Sequence, residues 1–168
     1  MARYDSSTAE VLVFTFKEGL LSGMAHDLKL KVTKFSIDVT GGAIKAEFDA
    51  SSLTVISPMK DGAENAGALP KMLYAEIEKN AREDVLHSKK HPQITFTSTS
   101  ITEQTVTGTL TLCGQSKPVT GKRTGTAVEV TFDQRDFGVK PFTAMLGTLK
   151  VKPEVRVKVT LPADAASA

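Results

Sequence analysis

Tryptophan is absent from this sequence and cysteine occurs once. The single Cys113 excludes a disulfide within the chain. No stretch approaches the roughly 18 apolar residues of a membrane-spanning helix. Residues 1–8 are polar and lack the apolar segment of a secretory signal. We therefore expect a cytoplasmic protein, or a periplasmic one if a leader has been removed.

An excess of charge of either sign is also missing. The net charge is +2, which is too small by itself to indicate nucleic-acid binding. Hydrophobic residues make up 40% and charged residues 24% of the chain, as in ordinary soluble globular proteins. The 168 residues fit one domain with a sizeable core. We predict a single domain over residues 1–162 and a disordered tail over residues 163–168.

The longest regular pattern lies between residues 147 and 161. Apolar side chains occupy one parity there and mostly charged ones the other, a two-residue period that is typical of a strand with one dry and one solvated face. Pro153 cannot donate to a ladder, so we expect a bend, a bulge or an exposed edge at that residue. A strand of this length suits a sheet that closes on itself.

Shorter alternating runs predict further strands through the chain, with Gly41-Gly42 as a hairpin signal. Between them, residues 57–68 read as a loop and the period then becomes helical. Leu69, Met72, Leu73 and Ile77 form one stripe of a helix that we expect to end near Asp84. The predicted fold is mainly β: an antiparallel barrel of about eight strands with one inserted α-helix, able to hold one ligand.

No constellation in the sequence predicts catalysis or a metal site. His87 and His91 have the spacing of two helical ligands, but Pro92 disfavours a helix there. His26 and Asp27 are adjacent and would point to opposite faces of a strand. We therefore predict no catalytic residue, no metal ligand and no cofactor. If the protein is an enzyme instead, His26 and Arg135 are the best candidates.

Basic side chains fall mostly on the outward parity of the predicted strands. They form a solvated surface or, in the sharper interpretation, a surface attracted to anionic lipid headgroups. Nucleic-acid binding is not predicted, because the aromatic residues are not interleaved with these charges on one face. The residues concerned are Lys29, Lys31, Lys34, Lys150, Lys152, Arg156 and Lys158.

Large apolar residues on the strands are the candidates for a ligand-lined interior. The alternative is that they simply fill the core. A lumen of Phe, Leu and Val side chains with few polar groups would hold an apolar ligand. The predicted lining residues are Phe14, Phe16, Leu28, Leu30, Phe48, Phe96, Leu110, Phe132 and Leu149, and the predicted mouth consists of Phe142, Met145 and Leu146.

Three blocks of the sequence resemble the YceI-like family. They are LHSKKHPQITFTSTSI at residues 86–101, VTGTLTLCGQSKPV at residues 106–119 and QRDFGVKPFTAMLGTLKV at residues 134–151. The resemblance implies a lipocalin-like barrel with a helix inserted in its middle and a long isoprenoid or other amphiphilic chain in an apolar lumen. The run GMAHDL at residues 23–28 departs from the commoner family pattern.

The predicted function is therefore to bind, carry or store such a lipid without catalysis. Two alternatives are an enzyme acting on a hydrophobic substrate in the lumen and a partner-binding barrel with a filled core. The expected partner is a hydrophobic small molecule. Transient contact with a membrane surface and a homodimer are left open.

Overall fold

Thirteen strands of one antiparallel sheet dominate the computed structural model, which describes residues 1–18, 26–144 and 149–167. The strands are β1 (Ala2–Asp5), β2 (Glu10–Lys17), β3 (Asp27–Val32), β4 (Phe35–Thr40), β5 (Ala43–Asp49), β6 (Leu53–Lys60), β7 (Ala63–Glu64), β8 (Gln93–Ile101), β9 (Thr105–Leu112), β10 (Gln115–Thr124), β11 (Ala127–Asp133), β12 (Thr143–Ala144) and β13 (Leu149–Thr160).

The sheet curls into a half-barrel rather than a small closed barrel. Its strand order is β1-β4-β5-β8-β9-β10-β11-β13-β2-β3-β6-β7, and β12 pairs with β13 beside this path. The predicted count of about eight strands is therefore wrong. Strands β7 and β12 contain two residues each and β1 contains four, so they have too little length to show a two-residue period.

The long C-terminal strand and its interruption are confirmed. Strand β13 has 12 residues and pairs with β11 on one side and β2 on the other. Its register against β2 shifts between Val151 and Val155, around Pro153. A proline has no backbone N–H to donate to the neighbouring strand, which explains why the ladder breaks at this point.

The predicted hairpin at Gly41-Gly42 is also confirmed. Thr40 pairs with Ala43 across the turn. Gly41 and Gly42 have φ values of 55° and 80°. Such positive values favour glycine, and a two-residue loop with both central residues in this region matches the twist of the flanking strands.

Two apolar clusters form the solid part of the interior. The first cluster consists of Tyr4, Val11, Val32, Phe35, Ile37 and Ala46. The second cluster consists of Leu110, Leu112, Phe137 and Val139. Phe96 is half-buried and packs against both clusters.

The helical segment that follows β7 is irregular. A 3₁₀ turn at Lys71–Leu73 leads into helix α1 (Tyr74–Lys79), which continues as a π-helical turn at Asn80–Val85. The predicted apolar stripe is only partly right, because Met72 is 83% exposed.

Strand β6 pairs with β3 along one edge, and β7 covers only Met59 and Lys60 of its other edge. Helix α1 and its π-helical continuation meet the remaining, unpaired part of that second edge. The Nε of Arg82 donates a hydrogen bond of 2.8 Å to the carbonyl oxygen of Leu53. The backbone N–H of Val55 donates to the carboxylate of Glu78 at 3.4 Å. These side chains satisfy backbone groups that a further strand would otherwise pair.

The C-terminal residues also differ from their predicted disorder. Ala163–Ser167 form a 3₁₀ helix, and Ala165 packs against the first cluster.

Candidate ligand-binding cavity

A cavity of about 530 Å³ lies between the inner face of the sheet and the helical segment. Its volume falls within the range of about 300–1,000 Å³ that small-molecule sites usually occupy. Of the 31 described residues that line it, 25 are apolar. Such a lining provides few hydrogen-bonding partners for a polar molecule and a large apolar surface for a hydrocarbon.

Three adjacent strands supply one wall, and their register explains why. Val157 of β13 pairs with Val13 of β2, which pairs with Leu30 of β3. Directly opposite residues in an antiparallel sheet project to the same face. The next row is Val155, Thr15 and Leu28, and all six residues line the cavity.

The helical segment supplies the facing wall. Leu73 and Ile77 lie about one helical turn apart and line the cavity, and Leu69 lines it from the extended residues that precede the segment. Leu69 is buried, whereas Leu73 is 39% exposed. Leu73 therefore lies where the cavity meets solvent, and Leu69 lies inside.

Most of the residues predicted to line a lumen lie around this cavity. The structure places Leu28, Leu30, Phe48, Leu110, Phe132 and Leu149 in its lining, together with Phe142 from the predicted mouth. Met145 and Leu146, the other predicted mouth residues, lie outside the described residues.

Phe14 and Phe16 lie on the opposite side of the sheet, so their predicted place in the lumen is wrong. Both parities of β2 are apolar, and the larger side chains suggested the wrong one. The residues paired with Phe14 show that it faces outward, because they are Arg156 on one side and Lys29 on the other. The Arg156 guanidinium lies 5.2 Å from the centre of the Phe16 ring, on this outer face.

Phe96 faces inward but does not line the cavity. It pairs with Ala46 and Leu110, and its ring lies over Gly108 on the neighbouring strand. A Cβ at Gly108 would lie 2.5 Å from Cζ of Phe96. The glycine therefore leaves a recess that the ring occupies, and Phe96 fills the core between the two clusters.

Six polar residues interrupt the apolar lining, and two of them are occupied by structural hydrogen bonds. Gln134 is 5% exposed and donates from Nε2 to the carbonyl oxygen of Lys152 at 3.1 Å. Asp49 accepts hydrogen bonds from the backbone N–H and the hydroxyl of Ser51. These bonds, led by the one from the Ser51 hydroxyl, lower the pKa of the Asp49 carboxyl. The other four are Thr15, His26, Glu76 and Asn80.

The two residues named as enzymatic candidates do not lie together. His26 lines the cavity at the start of β3. Arg135 is exposed and bound to Asp133, with 2.6 Å between Nη2 and Oδ2, and does not line the cavity. Within residues 1–18, 26–144 and 149–167, no three His, Cys, Asp or Glu side chains come close enough to hold a metal ion.

Sequence reasoning missed the valines of the cavity wall and one core residue. Val13 is not among the predicted lining residues, although its pairing with Val157 places it in the lining. Phe137 lies in a four-residue 3₁₀ turn and is 1% exposed. Gly138 ends that turn with a φ of 72°. The triplet Asp136-Phe137-Gly138 is therefore a turn that inserts a ring into the second cluster.

A curled antiparallel sheet around an apolar cavity defines the class as a hollow β protein. Residues 4–163 match the family model of the YceI-like domain, and the chain belongs to this family. The resemblance found in the sequence is thereby confirmed.

Individual relatives agree with this assignment. "Protein YceI" of Escherichia coli O157:H7 is 40% identical over 86 residues, which cover 40% of this chain and 45% of the relative. The same values hold for "Protein YceI" of Shigella flexneri. The match thus spans less than half the length of these curated relatives.

A solved structure shares the fold over almost the whole chain. It is described as a polyisoprenoid binding domain from Saccharophagus degradans implicated in plant cell wall breakdown. The TM-score is 0.53 with 12% identical residues, over 95% of this chain and 97% of that one. In the described part of the present chain, no helix has the length and apolar character needed to cross a membrane.

Proposed function

We propose that this protein binds a long-chain isoprenoid or a comparable amphiphilic lipid in the cavity and carries or stores it unchanged. The observation that carries the proposal is the cavity itself, with about 530 Å³ of space and 25 apolar residues among the 31 described residues that line it. An apolar cavity of this size is unusual in a folded protein, since interiors are normally packed to the density of organic crystals.

The shape of the wall favours an extended chain as the guest. Lining residues follow β13 from Leu149 to Val157. Eight steps at about 3.3 Å per residue give a wall of roughly 26 Å. A long, flexible hydrocarbon would contact much more of this wall than a compact ring system.

The energetics favour a long chain as well. Each buried methylene contributes about 0.8 kcal/mol, and association costs an estimated 4–15 kcal/mol in lost freedom. Ten methylenes would contribute roughly 8 kcal/mol before that cost is subtracted. Short apolar molecules would therefore bind weakly, and affinity should rise with chain length.

The family supports the isoprenoid class of guest. The chain belongs to the YceI-like family, and the protein from Saccharophagus degradans with the same fold is described as polyisoprenoid-binding. At 12% identity that likeness concerns the fold, so the choice of guest is an inference that the cavity's apolar lining makes reasonable.

The polar groups of the lining support binding without catalysis. Asp49 and Gln134 already make structural hydrogen bonds. His26 has no hydrogen-bonded carboxylate among the described residues that would orient it as a general base. If His26→Ala abolished a turnover that survives dialysis of the protein, the protein would be an enzyme acting on a hydrophobic substrate instead.

Organic extraction of the purified protein followed by mass spectrometry tests the proposal directly. A retained prenyl or acyl chain is the expected result. A protein without extracted lipid should still take up a fluorescent prenyl probe, and failure to do so would contradict the proposal.

Paired aspartate variants locate the binding site. Phe132→Asp places a charge in the cavity lining, whereas Thr131→Asp places the same charge on the exposed outer face of the same strand. We expect Phe132→Asp to lose probe uptake and Thr131→Asp to keep it, with both variants folded by circular dichroism. Leu110→Asp offers a second lining variant.

A further inference from the structure

We infer that the outer face of β13, β2 and β3 docks on an anionic lipid bilayer. This inference goes beyond the proposed function and does not depend on what occupies the cavity. We call the surface the basic face. Its residues are Glu10, Leu12, Phe14, Phe16, Asp27, Lys29, Lys31, Lys150, Lys152, Glu154, Arg156 and Lys158.

Strand register places cations on both sides of the apolar residues of β2. Phe14 pairs with Arg156 of β13 and with Lys29 of β3. One row further along, Leu12 pairs with Lys158 and with Lys31. Neighbouring strands are about 4.8 Å apart, so each row sets an apolar side chain between two positive charges roughly 10 Å apart.

The basic face carries as much net charge as the whole chain. The face carries six cationic residues and three acidic ones, Glu10, Asp27 and Glu154, and Glu129 of β11 lies beside it. The six positive and four negative charges leave a net +2, and all 168 residues together also carry +2. The rest of the chain is therefore neutral in sum, and the excess positive charge lies on this side.

Two of the acidic groups are engaged in local contacts. Asp27 accepts a hydrogen bond of 2.8 Å from the backbone N–H of Lys17. Glu129 lies 3.5 Å from Nε of Arg156. Lys150, Lys152 and Lys158 are exposed, and no ion pair of theirs is found among the described residues. These lysines are available for lipid phosphates.

The apolar component distinguishes this face from an ordinary solvated surface. Phe14 and Phe16 are half-buried on it, and the Arg156 guanidinium lies over the Phe16 ring. Lysine side chains can cover such rings with their apolar stems while their charged ends reach solvent or a headgroup layer. Leu12 is only 8% exposed, so Phe14 and Phe16 supply the apolar component of this surface. Cations mixed with aromatic side chains are typical of surfaces that lie at a membrane interface.

A nucleic acid is the less favoured partner. Contrary to what the sequence indicated, aromatic and basic residues are interleaved on this face. However, binding to single strands requires open ring faces on which bases stack. The Phe16 ring is covered by Arg156 and both rings are half-buried, so such stacking is blocked.

Vesicle flotation with the full chain tests the proposal. The probes are vesicles of phosphatidylcholine alone and vesicles with about one third phosphatidylglycerol, at low and at physiological salt. The test variant is Lys29→Glu/Lys31→Glu/Lys158→Glu. The matched control is Lys45→Glu/Lys117→Glu/Lys122→Glu, which changes the net charge equally at exposed lysines on β5 and β10.

We expect the unmodified protein to float only with anionic vesicles, and to float less at higher salt because surface charges are screened. The basic-face variant should lose at least about tenfold in vesicle affinity, while the control stays within about threefold. The glutamine version, Lys29→Gln/Lys31→Gln/Lys158→Gln, gives the same comparison with less repulsion in case the glutamate version does not fold.

Three results would overturn the inference. They are no flotation with anionic vesicles at low salt, equal losses in the two triple variants, and tighter binding to single-stranded DNA that the vesicles cannot displace. Uptake of a prenyl probe into the cavity is expected to be unchanged in the basic-face variant. A failure of docking is thereby distinguished from a failure of the proposed lipid binding.

Discussion

The solid and the hollow parts of the interior differ in how far their side chains reach. In the solid part, Phe35 of the first cluster packs against Phe48 on the neighbouring strand, with ring centres 6.2 Å apart, and Phe48 also borders the cavity. On the cavity wall, Val13, Val155 and Val157 cover the sheet with short branched side chains. Valine covers a strand surface well but cannot reach an opposite wall. This wall therefore leaves space that the aromatic residues of the lining do not fill.

Emptying the solid part should have the largest effect. Phe137 is 1% exposed and its ring packs edge-on against Phe132 at 5.4 Å. We expect Phe137→Ala to lower the free energy of unfolding by about 3–5 kcal/mol, measured by urea denaturation. Phe16→Ala, on the outer face, should cost less than half as much. Equal losses of unfolding free energy in the two variants would contradict the described difference in burial between Phe137 and Phe16.

Crowding the solid part should have the next largest effect. In Gly108→Ala the new Cβ would overlap Phe96 and the carbonyl oxygen of Thr97. We expect a loss of about 1–3 kcal/mol in unfolding free energy. Gly67→Ala is the control, since a Cβ there would meet nothing within 4 Å. A stable Gly108→Ala variant would show that this part of the core has room to spare.

Filling the hollow part should change stability little and binding strongly. Val157→Phe adds a ring where the lining has space, so we expect unfolding free energy to change by less than about 1.5 kcal/mol. Uptake of a prenyl probe should fall about tenfold, because the ring takes volume from the guest. Lys158→Phe places a phenylalanine on the outer face of the same strand and should leave uptake of the prenyl probe unchanged.

The smallest effect concerns Asp49, which lies at the boundary between the two parts. Its carboxylate caps the turn at Ala50–Ser52, so Asp49→Ala should cost about 1 kcal/mol at neutral pH. The pKa of this carboxyl is lowered from its ordinary 3.8, so the contribution is complete above that value and disappears as pH falls through the lowered pKa. Urea titrations from pH 7 to pH 2.5 should show the two proteins converging in acid. If the difference in unfolding free energy stays the same at every pH, the Asp49 side chain stabilises the fold through packing and not through its charge.

The same contrast explains how much the sequence could predict. Regular alternation identified β13, its face assignment and the interruption at Pro153, because a single strand contains all of that information. Helical spacing identified Leu69, Leu73 and Ile77 as one stripe. The exposed Met72 follows from its place in a 3₁₀ turn, where the angular spacing differs from that of an α-helix.

What the sequence could not predict depends on pairing between distant segments. Strand β2 is apolar on both parities, and only its partners β13 and β3 show that Val13 faces inward and Phe14 outward. Phe96 fills the core because of a glycine on another strand. The shortest strands, β7 and β12, exist only through their pairing. Side-chain size was therefore a misleading guide at Phe14, Phe16 and Phe96, although it identified Phe48 and Phe132 in the lining.

The meeting of β6 with the helical segment has a consequence for how the width of the cavity can vary. Along Leu53 and Val55 the sheet edge is held by Arg82 and Glu78 rather than by another strand. The width of the cavity on that side is set by side chains such as Ile77, which belong to no strand. Substitutions there can widen or narrow the cavity while every strand keeps its register, so on this side of the molecule the cavity can change shape at least cost to folding.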